Sequence, residues 1–288
     1  MRAEILALVF ALGVVPSAYA QEPLLRPIGT DEAKLSVWGW VWSNDERPLD
    51  MVRLRAKVET DSPWGLFVEA DVSEGVELRD NWLRQGIVTY KAPSGSYDLS
   101  IGRLFLAAPR ATPPPFLLRT SRFMRYPFPF YGWGAQVHRK DGPFDLTWDV
   151  STNSRSRFND GDTLDGLESS ARLTYDVNET LQVGSTVQVT EGTQRFAVES
   201  TWKPDSMSRL NAVAYTTVGD QELSGGYVLY TYQPKPWVEI HGQLDYQDGA
   251  KIELLQTIGA RFIYDRFQVV VDHELTDDTT FVRLQTSF

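Results

Sequence analysis

Apolar and polar residues alternate in short segments from Ala33 onward, and turn-forming residues separate these segments. In the segment VRLRAKVE, which begins at Val52, every second residue is apolar and the intervening residues are charged. Successive side chains of a β-strand point to opposite faces, so this period predicts strands with one apolar and one polar face. Because sustained helical spacing is not found in the sequence, the chain is predicted to be all-β.

The connections between these segments differ in length along the chain. Tight turns such as Asp61-Ser62-Pro63 alternate with connections that are often longer, of which the longest is Phe105 to Tyr131. A transmembrane antiparallel β-barrel of the bacterial outer membrane has this asymmetry between its two ends. Counting the segments predicts about sixteen strands, an even number as single-chain bacterial barrels require. A fourteen-strand alternative stays open, because the segments at 82–91 and 222–232 alternate poorly.

The first twenty residues have the features of a signal peptide. Arg2 precedes an apolar core from Ile5 to Val15, and Ala18-Tyr19-Ala20 fits an A-x-A cleavage site. The core is too short to span a bilayer comfortably. We therefore predict a signal peptide at 1–20, a periplasmic lead-in at 21–33 and a transmembrane barrel at 34–288. The chain has no cysteine, so disulfides do not contribute to its stability.

A soluble β-sandwich or propeller would also alternate, but three features favour the membrane barrel. Many polar faces carry paired charge that suits a lumen. Phe288 ends both the chain and an alternating segment, which resembles the C-terminal signal that the barrel assembly machinery reads. Aromatic residues gather near segment ends, as in the girdles at membrane interfaces. These are Trp38, Trp40, Trp42, Trp64, Tyr90, Trp202, Tyr232, Tyr246 and Tyr264.

These features predict a location in the outer membrane of a Gram-negative bacterium, in contact with its lipid and lipopolysaccharide. The net charge of −10 argues against nucleic acid as a partner, because such binding needs a basic surface.

The segment from Leu99 to Lys140 contains arginines and a lysine but no Asp or Glu. Its prolines exclude a spanning strand within Phe105 to Tyr131 and stiffen a loop instead. A long loop in this third external position is predicted to fold into the lumen and to place arginines at the constriction. The candidates are Arg110, Arg119, Arg122 and Arg125. Cationic side chains in a narrow pore favour anions.

A second basic row, the basic ladder, follows the polar face of one strand and consists of Arg53, Arg55 and Lys57. Such a ladder could pass an anion from site to site, but Glu69 and Asp71 on the next segment could neutralise it. Further lumen charges are expected at Arg172, Arg261 and Arg283. The loop arginines have two alternatives: they face outward and bind lipopolysaccharide phosphates, or they pair with lumen carboxylates.

The strand Leu99-Ser100-Ile101-Gly102-Arg103 leads into a loop rich in Pro and Phe, and this stretch resembles the phosphate-selective porin O/P family. The likeness covers mainly Tyr97 to Val137. The resemblance implies a sixteen-stranded homotrimeric channel in which arginines guide anions. The chain has Leu106-Ala107-Ala108-Pro109 where the family often has Pro-Phe-Gly. The broader prediction is therefore a porin without a cofactor that passes small hydrophilic solutes and prefers small anions, with phosphate as one candidate.

An outer-membrane enzyme is the rival class. A barrel phospholipase or protease needs a histidine that is paired with a serine or with acids. The chain has only His138, His241 and His273, and His241 lies on a polar face where a hydrogen-bonded lumen histidine is the commoner explanation. The chain is therefore predicted not to be an enzyme. An adhesin or scaffold barrel is a third class, which would favour longer external loops.

The segment NDGDTLDGLE, which begins at Asn159, resembles calcium-binding loops, where oxygen ligands stand at alternate positions. Asp160, Asp162 and Asp165 would be the ligands, but their spacing slips by one residue. A solvated acidic loop is the simpler explanation, so no metal is predicted.

Overall fold

A computed structural model describes residues 28–29, 33–44, 51–72, 83–109, 128, 131–155, 163–219, 222–248 and 253–287. The regular elements are strands: β1 (Ile28–Gly29), β2 (Ala33–Asn44), β3 (Met51–Thr60), β4 (Trp64–Val72), β5 (Leu83–Lys91), β6 (Asp98–Phe105), β7 (Tyr131–Asp141), β8 (Phe144–Arg155), β9 (Thr163–Asp176), β10 (Leu181–Thr190), β11 (Thr193–Trp202), β12 (Ser208–Gly219), β13 (Leu223–Lys235), β14 (Val238–Asp248), β15 (Glu253–Tyr264), β16 (Phe267–Glu274) and β17 (Thr279–Ser287). Within the described residues, no helix is long and apolar enough to cross a membrane.

Strands β2 to β17 form one closed antiparallel barrel of sixteen strands. Each strand pairs with its neighbours in the chain, and β17 closes the ring against β2. The short strand β1 adds two residue pairs to β2 and is not part of the ring. The prediction of sixteen strands is confirmed, and the fourteen-strand alternative is wrong.

The two segments that alternate poorly form strands β5 and β13, for different reasons. The register between β4 and β5 shifts at Glu69 and Ala70, and such a shift moves side chains to the other face of the strand. In β13 the register is regular from Ser224 to Tyr232, but apolar Tyr227 and Leu229 are buried on its inner face while Val228 and Tyr230 are exposed on the outer one. Alternation therefore fails in the sequence although both strands are present.

The two faces of the barrel wall differ in chemistry. Along β8, Leu146 and Trp148 are exposed, whereas Thr147 and Asp149 are fully buried. The same division recurs around the ring, with exposed large apolar side chains on one face and buried polar side chains on the other. In a closed barrel the exposed apolar face is the outer surface and the polar face lines the interior.

The two ends of the barrel differ in their connections. One end, here called the turn end, has connections at 61–63, 92–97, 142–143, 177–180, 203–207, 236–237 and 265–266. The other end, here called the loop end, includes the longest connection, at 106–130. Turn chemistry is explicit at Asp205, whose Oδ1 accepts hydrogen bonds from the backbone N–H groups of Met207 (2.8 Å) and Ser208 (2.7 Å). The Met207 bond is the main cause that lowers the pKa of Asp205.

The aromatic residues divide between the two faces of the wall. At the turn end an outward girdle is present, since exposed Trp64 packs against Tyr90 with tilted rings whose centroids are 5.0 Å apart, and Trp202 and Tyr264 are also exposed. Trp40, in contrast, is buried and lies directly opposite Arg53 in the β2–β3 pairing. Its assignment to a girdle is therefore wrong, because residues directly opposite each other in a pair share one face, here the inner one.

An apolar cluster joins residues at both ends of the longest connection to a distant part of the wall. Ala108 and Phe128 pack with inward residues of β11 to β13, which are separated from β7 by three strands. The members are Ala108, Phe128, Tyr131, Ala197, Val213, Tyr227 and Leu229, with Phe105 and Tyr215 against them. The predicted folding of the loop itself concerns residues 110–127, which lie outside the described residues.

Candidate functional site: the inner wall of the barrel

The basic ladder lies on the inner face of β3, and Glu69 of β4 is its main partner. Arg55 pairs with Glu69 in register, and its Nε donates to Glu69 Oε2. Arg53 Nε lies 3.9 Å from Glu69 Oε1, and both side chains are almost fully buried. One carboxylate therefore serves two guanidinium groups. The backbone of Asp71 pairs with Arg53, but the Asp71 side chain lies outside the described part of the chain.

The third member of the ladder is in a different environment. Lys57 Nζ lies 2.5 Å from Glu59 Oε1, and both side chains are about half exposed. Exposure therefore rises along β3 from Arg53 to Lys57, in the direction of the turn end. Because water screens an exposed pair, Lys57 and Glu59 interact weakly compared with the buried group around Glu69.

Aromatic rings flank Arg55 on the inner wall. The Arg55 guanidinium carbon lies 4.5 Å from the ring centroid of Trp40 and 5.9 Å from that of Phe67. A guanidinium over an aromatic face is stabilised by the ring quadrupole. These rings therefore hold Arg55 in place together with Glu69. Sequence reasoning missed them, because the register that brings Trp40 and Phe67 beside Arg55 is not visible before the strands are paired.

Arg172 and Arg261, two of the other predicted lumen charges, are paired on the inner wall. Arg172 Nη2 lies 2.5 Å from Glu199 Oε1, and both side chains are almost fully buried. Arg261 Nη2 lies 2.7 Å from Glu239 Oε2 on the adjacent strand. Arg283 of β17 is opposite buried Val270 in the β16–β17 pairing. Glu199 and Glu239 were not among the candidate lumen charges, although both have the parity of their strands' polar faces.

Glycine permits two polar contacts that skip a strand. His241 on β14, Gly259 on β15 and Asp272 on β16 are in register, and His241 Nε2 lies 2.6 Å from Asp272 Oδ1. Arg172 and Glu199 likewise meet across β10, where Gly184 is opposite Glu199. A Cβ on Gly184 would lie 2.8 Å from Glu199 Oε1. The lumen pairs are therefore specified by glycines as well as by charges.

Replacement of Gly259 by Ala should destabilise the barrel by about 1–3 kcal/mol, the usual cost of overpacking. The new Cβ would lie 2.3 Å from both His241 Nε2 and Asp272 Oδ1, so the pair must separate. Gly242→Ala is the matched control, because its Cβ would meet only Thr257 O at 4.0 Å. Urea unfolding of the refolded protein in detergent measures both variants. Equal stability of the two would contradict this assignment of Gly259.

The other two histidines are at the ends of the barrel. His138 Nε2 lies 3.0 Å from Asp145 Oδ1, and both side chains are partly exposed. His273 Nδ1 lies 2.9 Å from Thr280 Oγ1, and its Nε2 lies 3.6 Å from Asp278 Oδ1. The Asp278 side chain is 96% exposed, so water competes for it and it does not fix the imidazole ring. The contact between His273 and Thr280 is therefore a surface hydrogen bond.

Several predicted residues lie outside the described residues. These are the signal peptide at 1–20, Arg110, Arg119, Arg122, Arg125, Asp160, Asp162 and Phe288. Asp165, which was assigned to an acidic loop, belongs instead to strand β9, so that loop ends earlier than predicted. Among the residues with described positions, there is no group of three His, Cys, Asp or Glu side chains that could hold a metal ion.

Comparison with known proteins finds similarity in structure. No protein-family model matches the sequence, and no curated protein matches it. A variant of the Rh. blastica porin with three substitutions has a TM-score of 0.66 and 14% sequence identity, over 88% of this chain and 100% of that chain. A second variant of that porin has a TM-score of 0.65 and 13% identity over the same shares. A triple mutant of the Rhodopseudomonas blastica porin has a TM-score of 0.61 and 11% identity, again over 88% and 100%.

These porin structures match almost the whole barrel at low sequence identity, which is evidence for the fold. The narrower resemblance to the phosphate-selective porin O/P family stays a prediction. The chain has the fold of a sixteen-stranded bacterial porin barrel.

Proposed function

We propose that this chain is a diffusion channel of the Gram-negative outer membrane that passes small hydrophilic solutes. The observation that carries the proposal is the closed sixteen-stranded barrel with an exposed apolar outer face and a charged inner wall. A bilayer would cover the apolar face, and barrels of 16–18 strands are wide enough to leave an aqueous channel. The similarity to porin structures supports the same conclusion.

We further propose a preference for small anions. Support comes from the segment Leu99 to Lys140, which has several basic residues and no acidic residue. The apolar cluster is a second support, since it draws Ala108 and Phe128, on either side of the loop arginines, onto the inner wall. The described wall contributes carboxylates as well as cations, among them Glu69, Glu199 and Glu239. The anion preference therefore rests on the proposal that Arg110, Arg119, Arg122 and Arg125 face the lumen.

Reversal potential in a planar lipid bilayer under a KCl gradient tests both proposals. We expect channels that prefer chloride, and we expect the triple variant Arg119→Gln, Arg122→Gln, Arg125→Gln to lose most of that preference. Arg139→Gln is the matched control, because Arg139 belongs to the same basic segment but pairs with Asp141 at the turn end. Potassium preference in the unmodified protein would overturn the anion proposal, and absence of any channel would overturn the channel itself.

The expectations on signal cleavage, barrel assembly, oligomeric state and lipopolysaccharide binding can be tested on protein expressed in Gram-negative cells. Cleavage after Ala20 predicts an N-terminus at Gln21. Removal of Phe288 should lower the amount of assembled barrel in the outer membrane if the assembly machinery reads this residue. The homotrimer predicts a native mass of about three mature chains, and bound lipopolysaccharide should copurify with it.

A further inference from the structure

The polypeptide that leaves β6 turns onto the inner face of the wall. Leu106, Ala107 and Ala108 follow the last residue of β6 and are fully buried. The backbone N–H of Ala107 donates to Asp149 Oδ2 over 2.6 Å. Asp149 belongs to β8 and is also fully buried. A carboxylate two strands away therefore holds the first residues of the longest connection.

Gln136 of β7 completes this arrangement. Its Nε2 lies 2.9 Å from Phe105 O and 3.5 Å from Asp149 Oδ2. Gln136 and Asp149 are directly opposite in the β7–β8 pairing, so both side chains are on the inner face. Two backbone groups that leave the strand ladder, Phe105 C=O and Ala107 N–H, are thus each satisfied by a wall side chain, as buried backbone groups require.

A fully buried aspartate such as Asp149 is unusual at a position that has only a structural role. Burial of a carboxylate is costly unless hydrogen bonds or a cation compensate it. Asp149 Oδ2 accepts from the Ala107 N–H and lies 3.5 Å from Gln136 Nε2, whereas Asp149 Oδ1 is buried with no hydrogen-bond partner among the described residues. The hydrogen bond from Ala107 is therefore a main source of compensation. Charge-assisted bonds of this kind are about twice as strong as neutral ones.

A second and independent anchor follows at once along the chain. Ala108 packs in the apolar cluster with Val213 of β12 and Leu229 of β13, four and five strands around the ring from β8. Phe128, near the other end of the connection, belongs to the same cluster. A polar anchor at Ala107 and an apolar anchor at Ala108 thus fix both the point where the chain enters the lumen and its direction.

We propose that Asp149 is a positioning residue of the channel: through Ala107, and supported by Gln136, it holds residues 106–108 against the inner wall and so fixes the open conductance. This inference rests on the proposed channel function. A connection that loses this anchor samples displaced positions, and these appear as additional conductance levels. The residue acts on the solute only through the loop.

The test uses the purified full chain and two variants, Asp149→Asn and Asp149→Leu. Asn keeps the shape of the side chain but loses its charge, whereas Leu cannot accept a hydrogen bond. Loss of a bond to a charged acceptor should raise the population of displaced loop states by about tenfold. We expect a comparable rise in the time spent in subconductance states, greater for Leu than for Asn. Thr147→Val is the matched control, since Thr147 is on the same strand and face and its hydroxyl has no partner among the described residues.

Hydrogen exchange provides a readout that does not depend on channel activity. The peptide spanning 104–109 should exchange about tenfold faster at the Ala107 amide in Asp149→Leu and at the unmodified rate in Thr147→Val. Unchanged exchange in Asp149→Leu, or equal conductance changes in Thr147→Val, would overturn the role of Asp149. If the unmodified protein forms no channels, the proposed function fails, and the exchange experiment still determines whether Asp149 holds the loop.

Discussion

Glu69→Gln should make the channel about fifteenfold more selective for anions over cations. Glu69 is the carboxylate shared by Arg53 and Arg55, so its neutralisation removes one negative charge from a basic part of the wall. A unit charge about 8 Å away at an effective dielectric constant of about 20 changes the energy of a monovalent ion by about 2 kcal/mol. Screening over one Debye length reduces this to about 0.8 kcal/mol, which is roughly fourfold for each ion. Because the anion and the cation shift in opposite directions, the ratio of their permeabilities changes by about fifteenfold. The reversal potential in a KCl gradient measures the change.

Two further variants make the Glu69 result specific. Glu59→Gln also removes one carboxylate, but Glu59 is about half exposed near the turn end, so we expect a smaller shift of the same sign. Arg55→Gln should shift the reversal potential in the opposite direction. A Glu69→Gln variant that folds normally and has an unchanged reversal potential would mean that permeant ions do not pass the basic ladder.

The number of strands could be predicted from sequence because the underlying signal is local. A period of two needs only the residues of one segment, and turn residues mark where each segment ends. The signal weakened at β5, where the pairing shifts register, and at β13, where apolar side chains occupy both faces. Both causes depend on what lies opposite the strand, so a single segment does not reveal them. Turn residues on either side still marked both segments as strands, whereas an even count fits fourteen strands as well as sixteen.

The partners of the wall charges were much harder to predict. Arg172 was expected in the lumen, but its partner Glu199 is on the second strand along the chain. The contact exists because Gly184 leaves room between them, and that requires the register of three strands at once. His241 and Asp272 meet across Gly259 for the same reason. Parity shows which face a residue occupies, whereas register decides which residues touch.

Trp40 is a second case in which the strand pairing, and not the sequence pattern of one segment, decides where a side chain lies. Its position near the end of a segment is typical of an interfacial aromatic, and Trp64 confirms that such a girdle exists at the turn end. The β2–β3 pairing nevertheless brings Trp40 opposite Arg53 and beneath the Arg55 guanidinium. The alternation in β2 is weak, because apolar residues occupy both of its faces. Composition alone could not distinguish an aromatic lumen wall from a girdle.

Glu199→Gln should reduce the free energy of unfolding by about 3–5 kcal/mol, the usual cost of breaking a buried ion pair. The variant leaves the Arg172 guanidinium buried without its carboxylate, while the side chains on both sides of the pair are about 95% buried. Replacing both residues, as Arg172→Gln with Glu199→Gln, should recover most of that loss, because two neutral amides no longer carry an uncompensated charge. Urea unfolding of Glu199→Gln, Arg172→Gln and the double variant in detergent gives the coupling energy of the pair.

The exposed pair of Arg139 and Asp141 provides the reference for the stability loss in Glu199→Gln. Their nitrogen and oxygen are 2.9 Å apart, but the side chains are 58% and 71% exposed at the turn end. Asp141→Asn should therefore cost less than about 1 kcal/mol, because water screens the pair and solvates whichever charge is left. If Glu199→Gln costs no more than Asp141→Asn, water reaches Arg172 in the lumen, and the inner wall of β9 to β11 is wetter than its burial indicates. A large difference would instead mean that the Arg172–Glu199 pair is shielded from lumen water, in contrast to Arg55 and Lys57 on the opposite wall, which are partly exposed.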